Sequence, residues 1–133
     1  MRTVACRLRH GEDIYESLQR IAREERISAA CVVCMVGCVT KARIRRAGGD
    51  GITELDGPLE IVSVTGTVSC ERTHVHVSFS DREYRVWGGH MKEGCIVDTT
   101  AELVLLVMDD IRFLKEFDES TGYHELKIQA LEE

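Results

Sequence analysis

The chain lacks most of the signatures that would name a chemistry directly. Its 133 residues hold no GxGxxG loop, no phosphate-binding loop and no Ser/His/Asp grouping that can be placed. No apolar run approaches the roughly 18 residues of a membrane span, so no membrane partner is expected. The opening MRTVACRLRHGED has no apolar h-region. No secretory signal is therefore read, and the cytoplasm is the expected setting. With no internal repeat, low-complexity segment or linker, a single domain over 1–133 is expected, large enough for its own core. Proline occurs once, in Asp56-Gly57-Pro58, which is read as a turn. Basic charge is in the minority, 17 residues against 23 acidic ones, for a net charge of −6. Proteins that hold nucleic acid by charge alone are usually basic. Any DNA contact would then need a local basic patch or another protein.

Cysteine is not scarce, with six in the chain. In a cytoplasmic protein these pack as small hydrophobes rather than forming a disulfide framework. Cys31-Val-Val-Cys34 has the CxxC spacing, but no second pair accompanies it. On a regular strand residues three apart point to opposite faces, which argues for packing over a redox or metal role.

Arg2 to Arg9 alternates loosely and reads as a first strand. Asp13 stands as an N-cap with Glu16 three residues on, and Ile14, Leu18, Ile21 and Ala22 follow at helical spacing. Ser28 to Val39 is small, β-branched and not clean in its alternation, so both its faces should be covered. Gly37 marks a bulge or a close approach in it. Lys41, Arg43 and Arg45 then share one strand face, the only basic stripe. It is either a solvated face or a phosphate-facing one. In the strand from Leu59, Glu60 shares a face with Val62, Val64 and Val68. Glu102 likewise shares one with Val104, Leu106 and Met108. A buried charge is costly unless paired, so Glu102 calls for a partner, while Glu60 either lies just past the edge of the core or bonds to a backbone group or a neighbouring subunit. A loop or short strand around Phe113 and Phe117 and a final strand from His124 complete the chain.

The stretch Thr73 to His90, THVHVSFSDREYRVWGGH, carries three of the five histidines. Val75, Val77 and Phe79 alternate with His74, His76 and Ser78, so the two histidines leave one strand on one face. Asp81, Arg82 and Glu83 are read as a three-residue loop, with Tyr84 to His90 as the return strand. In that register His74 lies opposite His90 and His76 opposite Gly88, and the three imidazoles share a face. A one-residue slip would turn His90 to the other side. Two readings stand: half-exposed strand residues on a polar face, or a metal site. Three histidines with an open fourth position suit zinc, and nitrogen ligands also suit nickel, copper and iron.

Five stretches carry a likeness: LRHGED from Leu8; Val36-Gly37; GPLEIVSVTGTVS from Gly57; THVHVSFSD running into VWGGHMKEGCIVDTTAELVL; and TGYHEL from Thr121. In this order they resemble the plants and prokaryotes conserved (PPC) domain family. The resemblance implies an α/β (α+β) domain, a mostly antiparallel sheet with one main helix, assembled as a homotrimer. It also implies a metal site, zinc above others, on His74, His76 and His90. Nuclear plant members carry an AT-hook for DNA; no Arg-Gly-Arg-Pro core occurs here. Stand-alone prokaryotic members are often described as DNA-binding. The expected function is a binding or regulatory scaffold with that metal site, associated with DNA only in spite of its charge. The alternative is a small hydrolytic zinc enzyme with its site at a subunit interface and Glu102 or Glu60 as general base. A third reading has the histidines metal-free and structural.

Overall fold

Strand patterns outnumber helical ones in the sequence, and the structure follows them. The computed structural model describes residues 1–131. In chain order it runs β1 (Arg2–Arg9), α1 (Ile14–Glu24), β2 (Ala30–Arg45), β3 (Ile52–Val68), β4 (Thr73–Ser80), β5 (Val86–Met91), β6 (Ile96–Val107), β7 (Ile111–Asp118) and β8 (Tyr123–Ala130). Six strands form one sheet in the order β1-β6-β2-β3-β4-β5, and β5 also pairs with β2. That extra pairing closes β2, β3, β4 and β5 into a ring, so β5 is not left as a bare edge. The strand pairs are antiparallel. The mostly antiparallel α+β architecture with a single helix is the expected one. The β7–β8 hairpin forms a second, two-stranded sheet. No helix is long and apolar enough to cross a membrane among the described residues.

The helix begins where its cap dictates. Asp13 accepts from the Glu16 backbone N–H at 3.2 Å, satisfying one orphan donor of the first turn. Its other oxygen accepts from the Gly94 N–H at 2.6 Å, tying the helix start to the loop before β6. Ile14, Leu18, Ile21 and Ala22 are buried as their spacing predicts. They enter one core with Leu8, Phe79, Leu103 and Leu105. Each such large side chain contributes about 1.5–3 kcal/mol on burial.

Three expectations fail in the sheet, each for a local reason. First, Asp56-Gly57-Pro58 is not a turn; β3 runs straight through it. Here β2 shifts register between Val39 and Lys41. A Cβ on Gly57 would stand 2.4 Å from the Val39 carbonyl oxygen, so only glycine permits the strands to approach. The interrupted ladder there tolerates proline's missing N–H. Second, Cys31 and Cys34 do not point to opposite faces. The register with β6 shifts between Val32 and Cys34, so Val32 and Met35 both turn into the core. The intervening bulge puts both cysteines on the outer face, where Cys34 is exposed. Cys70 is exposed as well, so the thiols are not uniformly packed away.

Third, Glu60 and Glu102 are both exposed. Glu102 pairs with Arg7 on β1 and Val36 on β2, and Glu60 pairs with Cys38 and Ser80. A register shift between Ile61 and Ser63 turns Val64 and Val68 toward the core, so Glu60 keeps only Val62 beside it on the open side of the sheet. On that side Val33, Val36 and Val62 are 56%, 55% and 55% exposed.

Candidate metal centre

Val75, Val77 and Phe79 anchor β4 in the core. Period-two alternation then sends His74 and His76 out on the opposite face. The register of the return strand differs from the expected one. His76 lies opposite His90, Ser78 opposite Gly88 and Ser80 opposite Val86. The loop is therefore five residues, Asp81–Arg85, rather than three. The difference of two residues keeps His90 on the same face, so the convergence survives the error.

Asp81 builds that longer loop. Its carboxylate accepts from the Glu83 N–H at 2.9 Å, the Arg85 N–H at 3.0 Å and the Arg85 side-chain Nε at 2.9 Å. Trp87 Nε1 adds a fourth donor at 3.4 Å. Desolvation alone would raise this carboxyl; the bonds from Arg85 and Glu83 outweigh it and hold it below the ordinary carboxylate value. Between these donors Tyr84 gives its N–H to the Asp81 carbonyl at 3.1 Å and lies in the left-handed region, φ 62°, which a residue with a Cβ seldom adopts.

At the other end of β5, Arg45 on β2 lies opposite His90. A Cβ on the preceding Gly89 would stand 2.5 Å from the Arg45 carbonyl oxygen, so glycine allows β5 to close onto β2. Thr65, His76, His90 and Arg45 thus form one row across four strands, with His74 two residues along β4.

The ring centroids of His74 and His76 are 5.1 Å apart, those of His74 and His90 5.1 Å, and those of His76 and His90 5.6 Å. One nitrogen from each ring lies within 4.8 Å of the others. Tetrahedral zinc at ~2.0–2.1 Å from each nitrogen sets its ligands about 3.3 Å apart, so the rings need to close by no more than roughly 1.5 Å. His90 Nδ1 is buried with no hydrogen-bond partner among the described residues. Leaving such an atom unsatisfied costs about 1–3 kcal/mol, which ligation would relieve. Burial, then Arg45, His74, Lys92 and His76 push the His90 imidazolium down to about 4. Burial, then Arg72 and His76 lower His74 too, against the opposing Glu125. Both rings are neutral near neutral pH, the form that binds metal. The donor set fits zinc. Neither Glu102 nor Glu60 joins these three among the described residues.

Sequence reasoning left three neighbours unassigned. Arg72 Nη2 donates to His74 Nδ1 at 2.8 Å. Its place two residues before His74 was the available signal. Arg45 was visible only as part of a basic stripe. Lys41 and Arg43 of that stripe pair with Asp56 and Glu54, and Arg43 Nε lies 3.1 Å from Glu54 Oε1. Arg45 instead faces the histidines. Lys115, from the β7–β8 hairpin, lines the same cavity as His74 and His90, and no local pattern announced it.

Comparison with known proteins agrees with this architecture. The chain is 32% identical to a hypothetical protein from Salmonella cholerae-suis of known structure, with a TM-score of 0.94 over 97% of this chain and 94% of that one. It is 27% identical to a metal-containing protein from Archaeoglobus fulgidus, TM-score 0.79, over 96% and 94% of the two chains. It is also 37% identical over 125 residues to the Bifunctional protein GlmU of Synechococcus sp. (strain JA-2-3B'a(2-13)). That match covers 94% of this chain but only 20% of the relative, so the chain spans about a fifth of that protein's length. The family model for the Plants and Prokaryotes Conserved (PCC, also written PPC) domain matches residues 1–109, and the chain belongs to this family.

Proposed function

We propose that this chain is a metal-binding scaffold: a homotrimeric PPC domain over its whole length that holds zinc on His74, His76 and His90. The observation that carries the reading is the convergence of three imidazoles from one hairpin, within 4.8 Å, around a buried nitrogen with no partner. The metal-containing relative from Archaeoglobus fulgidus supports it. The trimer rests on the open side of β2 and β3. Val33, Val36 and Val62 stand more than half exposed there, beside the exposed Cys34. An apolar strip of this kind suits a second copy of the chain better than water. A reducing cytoplasm suits that exposed thiol. DNA is the weaker partner. With a net charge of −6 and two of the three stripe residues opposite carboxylates, contact with DNA would run through another component.

The test is metal analysis of untagged protein, loaded with zinc where the histidines are neutral and then dialysed. One equivalent per chain is expected, and His76→Ala should lose it. Less than about a tenth of an equivalent in the unaltered protein would overturn the reading. A second reading, a zinc hydrolase, is favoured by one feature: three ligands leave a coordination position, and a cavity of about 280 Å³ adjoins His74 and His90. Zinc supplies an activated water there when bound. Glu60 and Glu102 do not line that cavity, whereas Glu125 does.

A further inference from the structure

The cavity beside His74 and His90 carries an excess of positive charge. Arg45, Arg72 and Lys115 line it, and Glu125 is its only carboxylate among the described residues. None of the three cations forms a salt bridge among the described residues, although Arg2, Arg20, Arg43 and Arg85 do. Arg45 Nε and Thr73 Oγ1, both on this cavity, are buried and without partners among the described residues. Buried donors left unsatisfied together mark a place where an acceptor belongs. A divalent ion on three neutral imidazoles adds two more positive charges, which makes an uncompensated cavity still less favourable. The larger cavity on the polar flank of α1, about 760 Å³, holds Glu12, Asp13, Glu16 and Glu93 and none of these unpaired atoms.

Arg72 adds a second argument. A neutral imidazole has one lone pair and one N–H. His74 Nδ1 spends its lone pair on Arg72. An ion bound at Nδ1 takes that lone pair; an ion bound at Nε2 puts the ring proton on Nδ1, where it faces the guanidinium donor. Through either nitrogen, ligation by His74 excludes its bond from Arg72. The guanidinium is then released beside the two other cations.

We propose that this cavity binds a small molecule bearing an oxyanion group through Arg45, Arg72 and Lys115, and that Arg72 moves from His74 to the anion when the metal loads. The inference rests on the metal reading for its second half only. A volume of about 280 Å³ holds about nine waters, so the ligand is small, on the scale of a dicarboxylate or a phosphate monoester. Lys115, Tyr123 and Glu125 lie beyond residues 1–109, the span matched by the family model. The β7–β8 hairpin therefore supplies the wall that selects the ligand.

Calorimetric titration of untagged protein, metal-free and zinc-loaded, with malonate and separately with inorganic phosphate tests this. At least one of the two should bind the loaded protein about tenfold or more tightly than the metal-free form, and which one does separates a carboxylate ligand from a phosphate one. Arg45→Met and the exposed Lys115→Met should each weaken that binding about tenfold or more with zinc content unchanged. Arg72→Met should erase the difference between the loaded and metal-free forms. If zinc loads fully and neither anion binds, or both bind all variants alike, the proposal falls while the metal reading stands. If no zinc is taken up but an anion binds through Arg45 and Lys115, the metal reading and the Arg72 switch fall, and the anion site stands.

Discussion

At the scale of single residues, His90 is held from two sides. It faces His76 across one ladder and Arg45 across another, and its Nδ1 has no partner among the described residues. Its folded pKa of about 4 lies below the value near 6.5 of an unfolded chain. In that interval the unfolded state binds the extra proton. The stability due to a neutral His90 is therefore complete above about pH 6.5 and is lost as pH falls toward 4. His74 is shifted the same way and adds to the loss. The urea midpoint of metal-free protein should fall between pH 7 and pH 5, and His90→Gln should lose part of that dependence. A pH dependence unchanged in His90→Gln would contradict the assignment. In zinc-loaded protein the same protons compete with the ion, so zinc should be retained at neutral pH and released over this acid range.

At the scale of elements, the Asp81 loop and α1 do separate work. Asp81→Ala removes the acceptor for Glu83, Arg85 and Trp87 at once. The hairpin register loosens, and any one-residue slip turns His90 away from its partners. Zinc affinity, read by competition with a chelator, should drop about tenfold or more even though no ligand has changed. The helix is the opposite case. Leu18 is fully buried, and Leu18→Ala should cost about 2–5 kcal/mol in chemical denaturation, yet leave one zinc per chain in the folded protein. If Asp81→Ala kept full zinc affinity, the loop would not be what sets the register.

At the scale of the whole molecule, closure and exposure decide behaviour. The β2–β5 pairing closes the ring that brings Arg45 to His90, and Val33, Val36 and Val62 stand exposed on the outer side of β2 and β3. Val36 on β2 and Val62 on β3 are each 55% exposed on that side. Under the proposed homotrimer, placing a charge at either position should dissociate the copies. Val36→Asp or Val62→Asp should run as a monomer in light scattering with its fold intact. A monomeric unaltered protein would overturn the trimer, and a variant that stays trimeric would move the interface elsewhere.

The sequence alone determined the elements whose signals are local. Asp13 with Glu16 and the spacing of Ile14, Leu18, Ile21 and Ala22 specify a capped, one-faced helix, and the alternation from His74 to Phe79 specifies which side the histidines take. Parity made that last inference robust, since a two-residue error in loop length returns each side chain to its face. Tertiary structure alone decided what depends on contacts between distant strands. The bulge after Val32 put Cys31 and Cys34 on one face, and the close approach at Gly57 kept a glycine–proline pair inside β3. The open side of the sheet left Glu60 and Glu102 exposed, and strand pairing and packing set Arg45 and Lys115 beside the histidines. A bulge, a sheet's covered side and a cross-strand neighbour are fixed by partners more than twelve residues away, and a local pattern carries no record of them.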